Sequence, residues 1–251
     1  MPKTSRKTGP SKSQRQEWKV VALVAGALLC LEGGLRFFPT ALSVDLEHLL
    51  SIPDIAQSVR DAETARGNTL LIVGNSLARE GIDESLLLAN WTKHPSASPS
   101  DVVATFNPDG TSITQWSWGL KRYFANTGTS PDIIVVITGR THLFDASIDS
   151  EVLGAYYIGN KDLAEAGFHS SLNDSLGFLA GKTSSLIANR KRFRARIGYN
   201  YIPGFGQAWT EITQKTGAAL QAEDPKSTSS HLTSLHRLIA TARQMNSQLI
   251  V

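Results

Sequence analysis

Three short apolar runs, each followed by a turn of small or polar residues, divide the middle of the chain. The first begins at Thr69 and ends in Gly74-Asn75-Ser76, the second covers Val102–Phe106, and the third covers Ile133–Ile137. Runs of this length that are rich in β-branched residues and bounded by turn residues predict buried strands.

Helical patterns lie between these runs. Residues 83–93 start with acidic residues, as the first turn of a helix prefers, and a second helix is predicted from Ile113 to about Ala125. Its large apolar residues recur every four positions, as a buried helix face requires: Trp116, Leu120 and Phe124. Strand, helix, strand, helix, strand at this spacing predicts an α/β fold with a parallel sheet and crossover helices.

The C-terminal half continues this domain, which we expect to span residues 67–251. Residues 150–225 predict a helical insertion with a basic stretch at 190–196, which fits a solvated helix face or a surface that binds lipid headgroups or an anionic glycan. A last helix at about Leu232–Met245 leads into a final strand, Gln248–Val251.

The N-terminus has a different pattern. Residues 1–18 are polar and basic without apolar periodicity, and we expect a disordered cytoplasmic tail. The uncharged run Val20–Leu31 becomes long enough to cross a bilayer when Glu32 and Arg36, an i,i+4 pair, are included at its outer end. We therefore predict a transmembrane signal-anchor helix over 19–42 with its basic flank in the cytoplasm. A cleaved signal peptide and a soluble amphipathic helix are the alternatives.

Residues 43–66, in which Pro53 interrupts an apolar helical pattern, are predicted to form a helical stalk. The main domain would then lie in the periplasm or outside the cell.

Charge and cysteine content narrow the function classes. The net charge is +3, but six Lys and Arg against one acidic residue lie within residues 1–19, so the basic pI does not describe a folded face and we predict no nucleic-acid binding. Cys30 is the only cysteine and lies in the apolar run, which excludes an internal disulfide. No phosphate loop, dinucleotide fingerprint or metal-ligand pattern is present, and we predict neither a cofactor nor a metal.

Candidate chemistry lies where the predicted strands end. In open parallel sheets, ligands bind beyond the carboxyl ends of the strands. Three turns should meet there: Gly74-Asn75-Ser76, Asp109-Gly110-Thr111 and Gly139-Arg140-Thr141. The first also fits a plain tight turn in which Asn75 adopts a positive φ and Ser76 caps the next helix.

The segment from Ile72 to Asp83, Ile-Val-Gly-Asn-Ser-Leu-Ala-Arg-Glu-Gly-Ile-Asp, resembles the first sequence block of the SGNH/GDSL hydrolase superfamily. The resemblance covers about residues 67–145 and the final helix and strand. It implies a flavodoxin-like three-layer α/β/α fold in which Ser76 is the nucleophile and the backbone N–H of Gly110 helps to form the oxyanion hole.

The third block of that family is Gly-x-Asn, whereas this chain reads Gly139-Arg140-Thr141. The missing asparagine removes an oxyanion donor, and such a donor contributes about 2.7–4 kcal/mol to transition-state stabilisation. Thr141 through its hydroxyl and Arg140 through its charge are the candidate replacements, and His142 is a candidate substrate-binding residue beside them.

A serine nucleophile also needs a general base. The family supplies it from Asp-x-x-His after the last core strand, and we expect the natural chain to continue past Val251 into that block; a short natural protein closed by its last strand is the alternative. Of the six histidines, His48 alone follows an aspartate, Asp45, at that spacing. It lies before the first strand, against the motif order of the family.

Taken together, these features predict a serine esterase or O-acyltransferase acting outside the cytoplasmic membrane, on acylated cell-surface glycan or lipid-linked substrates. The substrate class follows from topology and from the resemblance. The alternatives are a non-catalytic SGNH-like module for glycan binding or envelope assembly, and a flavodoxin-like signalling or scaffold domain.

Overall fold

Four parallel strands form one sheet in the computed structural model, which describes residues 12–38, 44–139, 149–168, 170–212 and 228–251. The strands are β1 (Thr69–Val73), β2 (Val102–Phe106), β3 (Ile133–Val136) and β4 (Gln248–Ile250). Their order across the sheet is β2-β1-β3-β4, and Leu71 pairs with Ala104 on one side and with Ile134 on the other. The predicted α/β class and all four predicted strands are confirmed.

The helices before β3 are α1 (Lys12–Phe37), α2 (Val44–Leu50), α3 (Ile52–Thr64), α4 (Ser76–Gly81), α5 (Glu84–Trp91) and α6 (Ile113–Tyr123). Those after it are α7 (Ser150–Val152), α8 (Leu163–Phe168), α9 (Leu172–Thr183), α10 (Ser185–Ala188), α11 (Arg190–Tyr201) and α12 (Thr228–Gln244). A π-helical turn at Leu153–Tyr157 follows α7, and residues 205–212 are also helical.

The sheet and α6 form the centre of the core. Trp116, Leu120 and Phe124, the predicted four-residue repeat, are fully buried. Every residue from Ile113 to Leu120 is also buried, so α6 is enclosed on all sides over this stretch. β1 is the strand between β2 and β3, and it is buried along its whole length. Burial on both faces explains the apolar run Leu70–Val73.

The strand order determines where a ligand site is expected. The order 2-1-3-4 matches the first four positions of the flavodoxin-like order, in which the chain reverses its direction of winding between β1 and β3. The carboxyl ends of these two strands are adjacent, with Val73 opposite Val136. Ser76 follows the first of these ends.

The predicted stalk is helical, but it belongs to the folded domain. Leu46 and Leu49 of α2 and Ile52 and Val59 of α3 are all buried in the main hydrophobic core. Pro53 lies in the first turn of α3, where a missing N–H has no cost, so it starts a new helix and does not interrupt a long one. The separation into a stalk and a domain is therefore corrected.

α1 begins at Lys12, earlier than the predicted boundary at residue 19, because the Lys, Gln and Arg residues before the apolar run favour helix. Its stretch Gln16–Phe37 is long and apolar enough to cross a membrane and is almost entirely exposed. At 1.5 Å per residue these 22 residues extend about 33 Å, close to the thickness of a bilayer core. It is the one such helix in the described residues.

The outer end of α1 contacts the helical insertion. Arg36 Nε donates to Glu32 Oε1 over 2.8 Å, which confirms the predicted pair. Glu32 also accepts from the backbone N–H groups of Ser185 and Leu186, at 2.7 and 2.9 Å, and Arg36 donates to Thr183 O over 2.8 Å. Glu32 therefore caps α10 and joins α1 to α9 and α10.

Candidate functional site

The turn after β1 brings α4 very close to the strand ends. Gly74 donates its N–H to Phe106 O over 3.1 Å, which ties the turn to β2. A Cβ at this position would lie 2.4 Å from Ala78 Cβ and 2.8 Å from Ile137 O. Only glycine fits, and its absence of a side chain allows α4 to start directly over the β1–β3 boundary.

Ser76 is the first residue of α4 and is half-buried. The cap of the helix comes from the preceding residue, because the buried Asn75 accepts from Leu77 N over 3.0 Å and has extended backbone geometry. The plain-turn interpretation required Asn75 at positive φ and Ser76 as the cap, and the structure shows neither. Within the described residues, the Ser76 hydroxyl has no hydrogen-bond partner, so it is available to a ligand.

The turn after β2 lies at the same edge. Gly110 is exposed and has a φ of 62°, the left-handed conformation that glycine adopts readily. The buried Thr111 donates from Oγ1 to Pro108 O over 2.7 Å and accepts from Trp116 Nε1 over 2.8 Å. These bonds hold the turn and present Gly110 to solvent.

Three polar side chains that the sequence did not single out as a group meet at α4, the helix that Ser76 begins. Arg79 of α4 lies 2.6 Å through Nη1 from Asp109 Oδ1 and 2.9 Å from His48 Nδ1. Asp109 raises the pKa of Arg79, so the guanidinium is charged. Because a guanidinium only donates, His48 Nδ1 is the acceptor in this contact.

The pairing of Asp45 with His48, considered from their spacing, does not form. Asp45 accepts from Arg192 of α11, over 2.8 Å from Nε, whereas His48 turns toward Arg79 and lies 3.9 Å from Asp109 Oδ2. The sequence signals for this cluster were weak: Arg79 is three residues after Ser76 and Asp109 directly precedes Gly110, but the approach of His48 depends on the packing of α2.

A cavity of about 170 Å³ lies next to this cluster, between α3, α5 and the end of β2. Its polar lining includes His48, Arg79, Glu84 and Asn107. Ser76 does not line this cavity. Arg79 connects Ser76 with the cavity, because it lines the cavity and belongs to the helix that Ser76 begins.

The third predicted turn is only partly described. Ile137 donates its N–H to Val73 O over 2.8 Å, so the chain leaves β3 beside the Ser76 turn. The description stops at Gly139, and Arg140, Thr141 and His142 lie outside the described residues.

The described residues contain no group of three or more His, Cys, Asp or Glu side chains placed to hold a metal ion. The absence of a metal or cofactor stays a prediction. Cys30 is a free, exposed thiol on α1.

Comparison of the chain with protein-family models, with curated proteins and with solved structures finds no match.

Proposed function

We propose that this chain is an SGNH-type serine esterase or O-acyltransferase with a three-layer α/β/α domain, and that Ser76 is its nucleophile. The observation that carries the proposal is the Ser76 hydroxyl, which is half-buried at the β1–β3 boundary and has no partner among the described residues. A serine that served only to cap α4 would have its oxygen bonded to the helix.

The proposed reaction begins with attack of Ser76 Oγ on the carbonyl carbon of an ester. The backbone N–H groups of Ser76 and Gly110 stabilise the negative charge on the carbonyl oxygen. The ester alcohol leaves with a proton, and water or an acceptor hydroxyl then takes the acyl group from the serine. Arg140, Thr141 and His142 are assigned to the substrate side of this site.

The reaction also needs a base for the serine proton. His48 does not fill this role in the observed arrangement, because its acceptor nitrogen, Nδ1, is already occupied by Arg79. The proposal assigns the base to the histidine of an Asp-x-x-His block, as the resemblance implies.

The proposed location follows from α1. Its exposed apolar surface requires an apolar environment, and its basic N-terminal flank favours the cytoplasmic side. The catalytic domain would then lie outside the cytoplasm, where acylated cell-surface glycans and lipid-linked intermediates are its candidate substrates.

The direct test is hydrolysis of p-nitrophenyl acetate, in neutral detergent, by a purified full-length protein that carries the Asp-x-x-His block. Ser76→Ala should lower the rate by about a hundredfold or more, because the covalent step is lost. Ser175→Ala is the matched control, since that hydroxyl bonds only the backbone oxygens of Gly167 in α8 and of Ser171, which directly precedes α9. Equal rates for the wild type and Ser76→Ala would remove the nucleophile assignment.

A second candidate function, a non-catalytic glycan-binding or envelope-assembly module, is favoured by the polar cavity beside Arg79. Its His, Arg, Glu and Asn side chains can hydrogen-bond the hydroxyls of a sugar without any reaction. A module of this kind would bind O-acetylated and deacetylated forms of one cell-surface glycan equally and release no acetate, and Arg79→Gln would weaken both interactions.

A further inference from the structure

A second cavity, of about 290 Å³, lies between α6 and the helical insertion, and Ser76 does not line it. Arg122 of α6 and Lys182 of α9 both line it, together with the neutral side chains of Tyr156, Asn160 and Ser185. We refer to it as the Arg122–Lys182 cavity. No acidic side chain lines it among the described residues.

The two cations converge on one acceptor. Lys182 Nζ donates to Ile158 O over 2.7 Å, and Arg122 Nη1 donates to the same oxygen over 3.4 Å and to Ala155 O over 3.0 Å. Within the described residues, neither cation has a carboxylate oxygen within 4.0 Å. Two like charges are therefore held close together by neutral carbonyl groups.

The neighbouring acids are already engaged. Lys121 lies 3.0 Å from Asp162 Oδ1 and forms an ion pair with Glu165, and Asn126 donates to Asp162 Oδ2 over 2.7 Å. Asp162 still attracts Lys182 at longer range. Burial, together with repulsion by Arg122, nevertheless lowers the pKa of Lys182, so the pair is unfavourable without a counter-charge.

The cavity also holds unused donors. Lys182 uses one of its three N–H groups, and the Nε and Nη2 groups of Arg122 make no hydrogen bond to the described residues. The side chains of Ser185 and Asn160 likewise have no partner among the described residues. Two cations and several neutral donors around one cavity are the components of an anion-binding site.

We propose that the Arg122–Lys182 cavity binds a phosphate group. Phosphate fits because it accepts several hydrogen bonds at once and carries negative charge that neutralises the two cations. The site does not depend on Ser76, so Ser76→Ala should bind phosphate as the wild type does, and failure of one proposal leaves the other intact.

The position of the cavity points to two sources of phosphate. Ser185 lines the cavity and donates its N–H to Glu32 over 2.7 Å, so the site lies beside the outer end of α1. α9 exposes Leu172, Leu176 and Leu179 on the face opposite its buried residues, with 76, 56 and 51% of each residue exposed. A phospholipid headgroup meets both features, and a free phosphate meets the first alone.

The first experiment measures thermal unfolding of the full chain in neutral detergent as inorganic phosphate is added at constant ionic strength. A bound anion raises the unfolding temperature in a concentration-dependent way. Lys182→Gln should weaken phosphate binding at least tenfold while its amide keeps the bond to Ile158 O, and Lys182→Arg should restore binding. Lys93→Gln removes an exposed cation that bonds only Asn90, so it should leave binding unchanged.

A further readout separates binding from folding. Without phosphate, Lys182→Gln should unfold no earlier than the wild type, because it removes a like-charge repulsion. Arg122→Gln gives an independent loss of binding if it folds, and the Lys182 variants decide the question if it does not. A phosphate-induced rise in unfolding temperature of the same size in the wild type and in Lys182→Gln would overturn the proposal.

The second experiment identifies the source by adding dioctanoyl-phosphatidylglycerol or neutral dioctanoylglycerol to the micelles. A Lys182-dependent rise in unfolding temperature with the phospholipid alone identifies a lipid headgroup site. The same rise with inorganic phosphate at comparable concentrations identifies a free-anion site. The proposal is contradicted if neither the phospholipid nor inorganic phosphate gives a rise in unfolding temperature that depends on Lys182.

Discussion

At the scale of single residues, Asn75 and Ser76 divide two tasks that one serine often performs at the start of a helix. Asn75 accepts from Leu77 N and satisfies the first turn of α4, and the hydroxyl of Ser76 is left without a partner among the described residues. The sequence left both roles open for Ser76, because the pattern Gly-Asn-Ser does not say which side chain turns back onto the helix. The structure shows that the buried side chain of Asn75 is the one that bonds the helix.

A second residue makes a stability prediction. Asp101 accepts from the N–H groups of Ser98 and Asn68 and from Trp91 Nε1, at 3.0, 2.7 and 2.8 Å. These bonds, with that of Ser98 the largest contribution, lower the pKa of Asp101 from 3.8 to about 2. Because the native pKa is the lower one, the carboxylate stabilises the fold above about pH 4 and loses this effect as the pH falls to about 2.

Asp101→Asn should therefore be less stable than the wild type at neutral pH, and the difference should shrink as the pH falls below about 4. Urea unfolding of both proteins across this range measures the difference. Asp54→Asn, at an exposed position in the first turn of α3, is the control. A difference that stays constant down to about pH 2 would contradict the role of the ionised carboxylate.

At the scale of elements, the sequence predicted the strands and helices better than it predicted how the helices pack. β1, β2 and β3 were predictable because short apolar runs between turn residues have few alternatives, and α6 because its apolar repeat is regular. The apolar residues of α2 and α3 also predicted helices. Periodicity shows that a face is buried but not what covers it, so the packing of these helices on the domain core could not be predicted.

In the candidate site, the residues at strand ends were predictable, but the contacts between helices were not. Ser76 and Gly110 follow strands and could be placed at one edge from topology alone. The meeting of His48 with Arg79 and that of Arg122 with Lys182 join residues 31 and about 60 positions apart on separate helices. No local pattern encodes such contacts, because they depend on how the helices pack.

The contact of α4 with the strand ends gives an element-scale prediction. Gly74→Ala places a Cβ 2.4 Å from Ala78 Cβ and 2.8 Å from a backbone oxygen, so α4 must shift and the fold should lose about 1–3 kcal/mol. Gly81→Ala, in the same helix, meets no atom within 4 Å and should be neutral or slightly stabilising. Urea unfolding measures both variants, and equal stabilities would show that the close approach at Gly74 is not required.

At the scale of the whole molecule, α1 and the domain are connected by side chains as well as by the chain itself. Glu32 and Arg36 bond α9 and α10 at the end of the apolar stretch, so the insertion lies beside the point where α1 would leave a bilayer. Because Ser185 lines the Arg122–Lys182 cavity and bonds Glu32, the cavity lies beside the end of α1.

The proposed topology predicts which side of the membrane the domain occupies. In a chain with Cys30→Ser, a new thiol at the exposed position 93 (Lys93→Cys) should react with a membrane-impermeant maleimide in intact cells. The Cys30→Ser chain alone should remain unlabelled. Labelling of position 93 only after the cells are lysed would reverse the proposed orientation.

The proposed function requires Ser76 to be an activated nucleophile. A fluorophosphonate tests this requirement, because it reacts covalently with such serines. Mass spectrometry of the treated full chain should find the phosphonyl group on Ser76, with no adduct in Ser76→Ala and the same adduct in Ser175→Ala. An unmodified Ser76 after saturating treatment, or equal labelling of the wild type and Ser76→Ala, would contradict the claim.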